Sequence, residues 1–129
     1  MERVVVSDTA CLIALNKIGQ LGLLRSVYGQ VIITPTVASE FHYPLPEWIE
    51  IQPPVNISLQ TSLEKMIDAG EASAIALAVE IKDCYLILDD LRARKIAAGM
   101  GLLFTGTLGV IAVAKQRGII PLARPLLEK

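Results

Sequence analysis

The chain has one histidine and two cysteines, and these scarcities exclude much. Cys11 and Cys84 stand far apart in the chain and show no metal-ligand spacing. Neither a zinc site nor a disulfide framework is expected, and both read as reduced, buried packing residues of a cytoplasmic protein. The lone histidine, His42, sits in the turn-like stretch HYPLP with no second His or Cys nearby, and reads as non-catalytic. Ser7, Ser39 and Ser73 have no triad context. Charge of one sign is also missing. With a formal net charge of −1, overall charge gives no case for nucleic-acid binding, which would have to act locally through a patch or a metal. Long hydrophobic runs are absent as well. The apolar stretches are strand- or helix-sized and broken by charge or glycine, short of the roughly 20 residues a membrane span needs. No basic segment precedes an apolar one at the N-terminus, so no secretory signal is expected.

What is present is apolar side chain: 53% of the residues, against 19% charged. That exceeds a typical small soluble domain. Two causes are expected together, a parallel sheet buried on both faces and apolar surface set aside for a partner. The 129 residues suit one domain with one real core. The pattern alternates. RVVVSD is a β-branched run, followed by TACLIALNKIG with helical spacing and a stop at Gly19. LGLLRSVYG is a short helix. VIIT is a strand closed by Pro35, and TVASEF starts a helix with Thr36 as candidate cap. IEIQPPV reads as an edge strand because of its prolines. LEKMIDAG and GEASAIALAVEIK read as helices meeting near Gly70. YLIL is a strand, DLRARKIAAGMG a helix closing at Gly99 or Gly101, LLFT a strand and TLGVIAVAKQRG a helix. Ile119 and Ile120 then lead into a short C-terminal helix. Repeated strand–helix alternation predicts an α/β fold, a three-layer α/β/α sandwich with a mainly parallel central sheet.

Ligands of such sheets bind beyond the carboxyl ends of the strands, so the residues at those ends carry the functional reading. Asp8 follows Val4–Val6. Asp89 and Asp90 follow Tyr85–Leu88. Thr105 and Thr107 follow Leu102–Phe104. Glu40 comes shortly after the strand Val31–Ile33, and Glu71 opens the helix after Gly70. Asp8, Glu40, Glu71, Asp89 and Asp90 form a candidate acidic cluster without a histidine or cysteine partner. Carboxylates gathered closely repel one another, and some are forced to stay protonated. A divalent cation removes that cost, and all-oxygen ligation points to Mg²⁺ or Mn²⁺ rather than zinc. Water activated by such an ion can attack a phosphodiester.

Each residue also has a purely structural reading. Asp8 can cap the helix at Thr9 or Ala10. Glu71, three residues after Asp68, has capping-box spacing and suits the positive end of a helix dipole. Glu40 can be a solvated surface acid. One of Asp89 and Asp90 can cap the helix at Leu91, which leaves the other over. TGTLG (Thr105–Gly109) offers backbone N–H groups to a phosphate but lacks the P-loop pattern and its lysine, so a tight turn is the stronger reading. Arg92, Arg94 and Lys95 can contact a nucleic-acid backbone or lie on a solvated face. Arg94 is also four residues from Asp90, a spacing that permits an ion pair.

VVVSDTACLIAL, VIITPTVASEF, DAGEASAIALA, LILDDLRARKIA and LLFTGTLGVIAVAK together resemble the successive motifs of the PIN-domain family, over nearly the whole chain and in order. More narrowly they resemble its small prokaryotic, VapC-like branch. The resemblance implies a parallel α/β/α fold, Mg²⁺- or Mn²⁺-dependent ribonuclease activity, frequent pairing of a toxin with an antitoxin protein, and frequent homodimers. It maps the family's acidic site onto Asp8, Glu40, Glu71 and Asp89 with Asp90, with Glu71 where many relatives have aspartate. Leu88 stands where many relatives carry threonine or serine, and Leu91 where a further acid usually follows. Which of Asp89 and Asp90 is the ligand stays open.

The expectation is a single nuclease domain over residues 1–129. Its ion would be held by Asp8, Glu71 and Asp89 or Asp90, with Glu40 as ligand or support. Its RNA would be contacted by Thr105, Thr107, Arg92 and Arg94. The rival is a catalytically silent interaction module on the same fold. A receiver-type phosphoacceptor would want an acidic pair near the first strand and a lysine at a later strand end. A haloacid-dehalogenase-type phosphatase would need a second aspartate in SDTAC. The chain has neither arrangement.

Overall fold

The computed structural model describes residues 3–119. Five strands, β1 (Arg3–Ser7), β2 (Gly29–Ile33), β3 (Ile49–Ile51), β4 (Tyr85–Ile87) and β5 (Leu103–Thr105), alternate with helices. The helices are α1 (Thr9–Lys17), α2 (Leu23–Tyr28), α3 (Pro35–Glu40), α4 (Ile57–Leu63), α5 (Ala69–Glu80), α6 (Leu91–Gly99) and α7 (Thr107–Gln116). The strands pair in the order β3-β2-β1-β4-β5, and every pairing is parallel. The expected α/β/α sandwich is therefore present.

Side chains alternate across a strand, and here both faces are buried. Val5, Val31, Ile33 and Ile87 join one core with Leu12, Leu15, Leu24, Val110 and Ile111, from α1, α2 and α7. Val6, Ile32, Leu86 and Leu88 join the other with Leu63, Ala74, Ile75, Leu77, Ala93 and Ala97, from α4, α5 and α6. This explains the continuous apolar strand runs, because a parallel sheet covered on both faces has no polar side. Helix α5 is the most enclosed, with every residue from Ala72 to Ala78 buried. Its small side chains let it lie close to its neighbours.

Three local expectations are corrected. Helix α3 is capped by Thr34, whose Oγ1 accepts from Val37 N at 3.1 Å. Thr36 is not the cap, because Pro35 already occupies the first helical turn, where its fixed φ and missing N–H cost nothing. LEKMIDAG is not a helix. Helix α4 lies earlier, capped by Asn56, and ends at Leu63. The chain then turns through bonds from Lys65 N to Ser62 O and from Met66 N to Leu63 O, because Asp68 must be extended to open α5. Arg94 approaches Asp89, at 4.0 Å, rather than Asp90. The short C-terminal helix expected after Ile120 lies outside the described residues.

The order of strands fixes the place of the site. The chain runs outward from β1 through β2 to β3, then returns to β4 on the other side of β1. The crevice at the carboxyl ends of β1 and β4 is thus the switch point where open α/β sheets bind ligands.

Candidate active site

Asp8 and Asp89 sit at that switch point. Asp8 N donates to Ile87 O at 3.1 Å, extending the β1–β4 ladder by one residue. The Asp8 side chain is 1% exposed. Its Oδ1 accepts from Cys11 N at 2.9 Å, which caps α1, and its Oδ2 accepts from Asp89 N at 3.1 Å. Burial pushes the Asp8 carboxyl up to about 6; its two backbone donors pull it down, the Asp89 charge raises it further and Arg94 offsets part of that.

Glu40 ends α3. Its Oε1 accepts from Thr9 Oγ1 at 2.5 Å, next in sequence to Asp8. The start of α5 presses on the same carboxylate. A Cβ at Gly70 would collide with Glu40 Oε1, so glycine is needed for this approach. A buried hydroxyl pair, Thr34 Oγ1 and Ser73 Oγ at 2.6 Å, ties the cap of α3 to α5. Ser73 Oγ also bonds Gly70 O at 2.8 Å.

Glu71 follows Gly70. Its Oε1 accepts from Asp68 N at 3.3 Å, as the capping-box spacing foretold. Its carboxyl is pushed up to about 7, first by burial, then by the charge of Asp90, with Asp68 and Asp8 adding to it against the Asp68 N–H.

These groups enclose a cavity of about 100 Å³ lined by Asp8, Thr9, Ala10, Glu40, Asp68 and Glu71. Beside it, a cleft of about 320 Å³ is lined by Met66, Ile67, Asp68, Glu71, Asp90 and Arg92. Asp90 caps α6, its Oδ2 accepting from Ala93 N at 2.9 Å. Asp89 is the carboxylate left over, and it turns toward α7. Its Oδ1 accepts from Thr107 N at 2.8 Å and its Oδ2 from Thr107 Oγ1 at 2.5 Å. The N–H that TGTLG offers to an anion is thus taken by Asp89. Thr105 and Arg94 line a separate cleft with Asp89, and Arg92 Nη1 donates to Met66 O at 3.3 Å.

The structure therefore brings Asp8, Glu40 and Glu71 into one cavity and Asp90 next to it. Asp89 joins through its backbone while its side chain faces α7. Sequence reasoning missed two polar members of the cavity. Asp68 was visible only as a capping partner of Glu71. Thr9, which holds Glu40, carried no signal beyond standing next to Asp8. Cys11 lies beneath the site with its thiol pushed up to about 12 by burial, so it is no nucleophile. His42 is exposed in a loop.

Among the described residues, no group of three or more His, Cys, Asp or Glu side chains is drawn together as a ready-made ion cage. The cavity's charged donors are all carboxylates, and two of them are held above their ordinary range. That donor set fits a hard divalent ion that keeps part of its water shell and takes only a few carboxylates. It does not fit zinc, which favours nitrogen and sulfur.

A parallel α/β/α sandwich with acids clustered at its switch point defines a class of α/β proteins that bind ligands at the strand ends. The particular family follows from comparison with known proteins. A family model described as a PIN domain matches residues 4–129, and the chain belongs to the PIN-domain family. PIN domains are typically nucleases and generally bind divalent metal ions. No curated protein matches the chain. Among the described residues, no helix is long and apolar enough to cross a membrane.

Proposed function

We propose that the protein is a metal-dependent endoribonuclease that hydrolyses phosphodiester bonds, of the VapC-like kind. The observation that carries this reading is the cavity that gathers Asp8, Glu40, Asp68 and Glu71 at the switch point, with Asp8 and Glu71 raised to about 6 and about 7. Burial is the main cause and neighbouring carboxylates add to it; a cation or protons would relieve both costs. Asp8 and Glu71, with Asp89 or Asp90, would hold Mg²⁺ or Mn²⁺, and Glu40 would be ligand or support. When bound, the ion supplies charge neutralisation and Lewis acidity for attack of water on phosphorus.

The remaining work belongs to the chain. The N–H groups of Cys11 and Asp89 fix both oxygens of Asp8, so this carboxylate is oriented before substrate arrives. Thr9 and Gly70 hold Glu40 against the same cavity. Glu71 Oε1 is engaged by Asp68 N, which fixes one oxygen of this carboxylate at the start of α5. Arg92 and Arg94 flank the acids from α6 and supply positive charge for the RNA backbone. The proposal includes a homodimer and, for a toxin, an antitoxin protein. Ile51, Val55, Ile57 and Met66 supply exposed apolar surface for such contacts.

The test is cleavage of a mixed single-stranded and structured RNA pool with Mg²⁺, with Mn²⁺ and with EDTA, wild type beside Asp8→Asn. Metal-dependent cutting that is lost in the variant supports the nuclease. One observation favours the second reading, a catalytically silent interaction module. Asp8, Glu71, Asp89 and Asp90 each already serve a helix start. Absence of cutting, or cutting indifferent to Asp8→Asn, would favour that reading.

A further inference from the structure

A cleft of about 530 Å³ lies between α6, β5 and the start of α7, with Phe104 and Leu108 forming an apolar wall. The Arg94 guanidinium lies over the Phe104 ring, 5.9 Å from its centroid. It is held there by Nε donating to Leu88 O at 2.7 Å and by Asp89 Oδ1 at 4.0 Å from Nη2. Among the described residues its Nη1 and Nη2 make no hydrogen bond. Gly106 leaves room for this arrangement, since a Cβ there would collide with Arg94 Nη2 and come within 2.7 Å of Asp89 Oδ1. Leu108 lines the same cleft and is 65% exposed. Asp89 links the cleft to the acids, since it lines the cleft and its N–H holds Asp8.

We propose that this cleft seats an unpaired nucleobase of the RNA strand, next to the phosphate held over the acidic cavity. The base layers on the Arg94–Phe104 pair, and Leu108 covers its edge. This rests on the ribonuclease reading and adds a base-binding site to it. Every base presents a π face, so a ring-and-guanidinium platform holds bases without reading sequence. The free N–H groups of Arg94 lie in the guanidinium plane and remain for backbone oxygens of the adjoining nucleotide. A base can enter only when it is splayed out of a helix, as in single-stranded or looped RNA. Other occupants suit the cleft less. A bare phosphate would leave the apolar wall uncovered and meet the Asp89 carboxylate, because Asp89 already takes the Thr107 N–H. An acidic peptide would meet the same carboxylate.

The test measures binding of a fluorescein-labelled single-stranded RNA decamer, and of a blunt RNA duplex, to the non-cutting Asp8→Asn protein in Mg²⁺ by anisotropy. Leu108→Ala, Phe104→Leu and Arg94→Lys are added singly. The single strand is expected to bind tighter than the duplex, and each change to weaken it by about tenfold. In a cutting protein, Leu108→Ala raises KM more than it lowers kcat. Equal binding of both RNAs, no binding of either, or binding indifferent to Leu108→Ala and Phe104→Leu overturns the base site. Leu108 is exposed, so its variant tests the site even where Phe104→Leu impairs folding. Should the wild type never cut while binding still depends on Leu108 and Phe104, the ribonuclease reading falls and the base site stands. Cutting with binding and KM blind to these residues gives the reverse.

Discussion

At the scale of single residues, the site is built from side chains that each also serve the backbone. Asp8 shows what that costs. Its folded value of about 6 lies above its ordinary 3.8 because the charge is buried. The sign follows directly. A raised acid favours the folded state below its unfolded pKa and loses that advantage as pH climbs through the folded one. Without metal, wild-type stability should fall between about pH 4 and pH 7 by of order 2–3 kcal/mol more than that of Asp8→Asn. Urea unfolding of both proteins in EDTA across that range checks this, and parallel curves would contradict it. Gly70→Ala makes a separable prediction. The new Cβ displaces the Glu40 carboxylate from Thr9, while alanine in this first turn of α5 recovers at most about 1 kcal/mol of helix propensity. Stability should hold or rise while RNA cleavage drops by about tenfold or more. Thermal melts beside cleavage rates separate the two effects. The acids themselves were legible in sequence, because they stand at strand ends and helix starts. Thr9 and Asp68 were not. A hydroxyl that bonds an acid 31 residues away leaves no local pattern, and Asp68 looks the same whether it caps a helix or also lines a cavity.

At the scale of elements, the geometry of the cavity depends on how α3 and α5 meet. The Thr34–Ser73 hydroxyl pair is fully buried, and it sets where Glu40 stands relative to Glu71. Ser73→Ala removes one partner and leaves the other half-satisfied. It should destabilise the protein by about 1–3 kcal/mol, readable by urea unfolding, with a loss of cleavage beyond what the unfolded fraction explains. The strands were readable because β-branched apolar runs closed by an acid, proline or threonine have few other interpretations. Two helix starts were misread for one reason. Thr34 looked like the last residue of a strand, and a cap takes extended backbone angles as a strand does. LEKMIDAG has helical composition, but Asp68 had to stay extended to cap α5. That tertiary demand outweighed local propensity. The paired aspartates divided their labour as the capping argument allowed. Asp90 caps α6, and Asp89 reaches the N-terminus of α7. This reach explains why Arg94 meets Asp89 and not the residue four positions before it.

At the scale of the molecule, the strand order puts β1 between β2 and β4, so acids from distant parts of the chain converge on one crevice. Sequence alternation foretold the layers but not this order, since the strand runs alone do not say on which side of β1 the chain returns. On the proposed reading, convergence of charge would make the fold and the ion interdependent. Asp8 and Glu71 are raised above their ordinary values, so an ion bound there would compete with protons below about pH 6–7 and meet bare carboxylates above it. Mn²⁺ should therefore raise the melting temperature more at pH 8 than at pH 5, by a margin that shrinks in Glu71→Gln; an equal rise at both values would count against a carboxylate site. The central claim is that these acids form one divalent-ion site. Its most direct measurement is a Mn²⁺ titration followed by electron paramagnetic resonance at pH 8, wild type beside Asp8→Asn. The account predicts saturable binding by the wild type and loss of that binding in the variant. Equal binding by both proteins, or none by the wild type, would contradict it and leave the acids as helix caps.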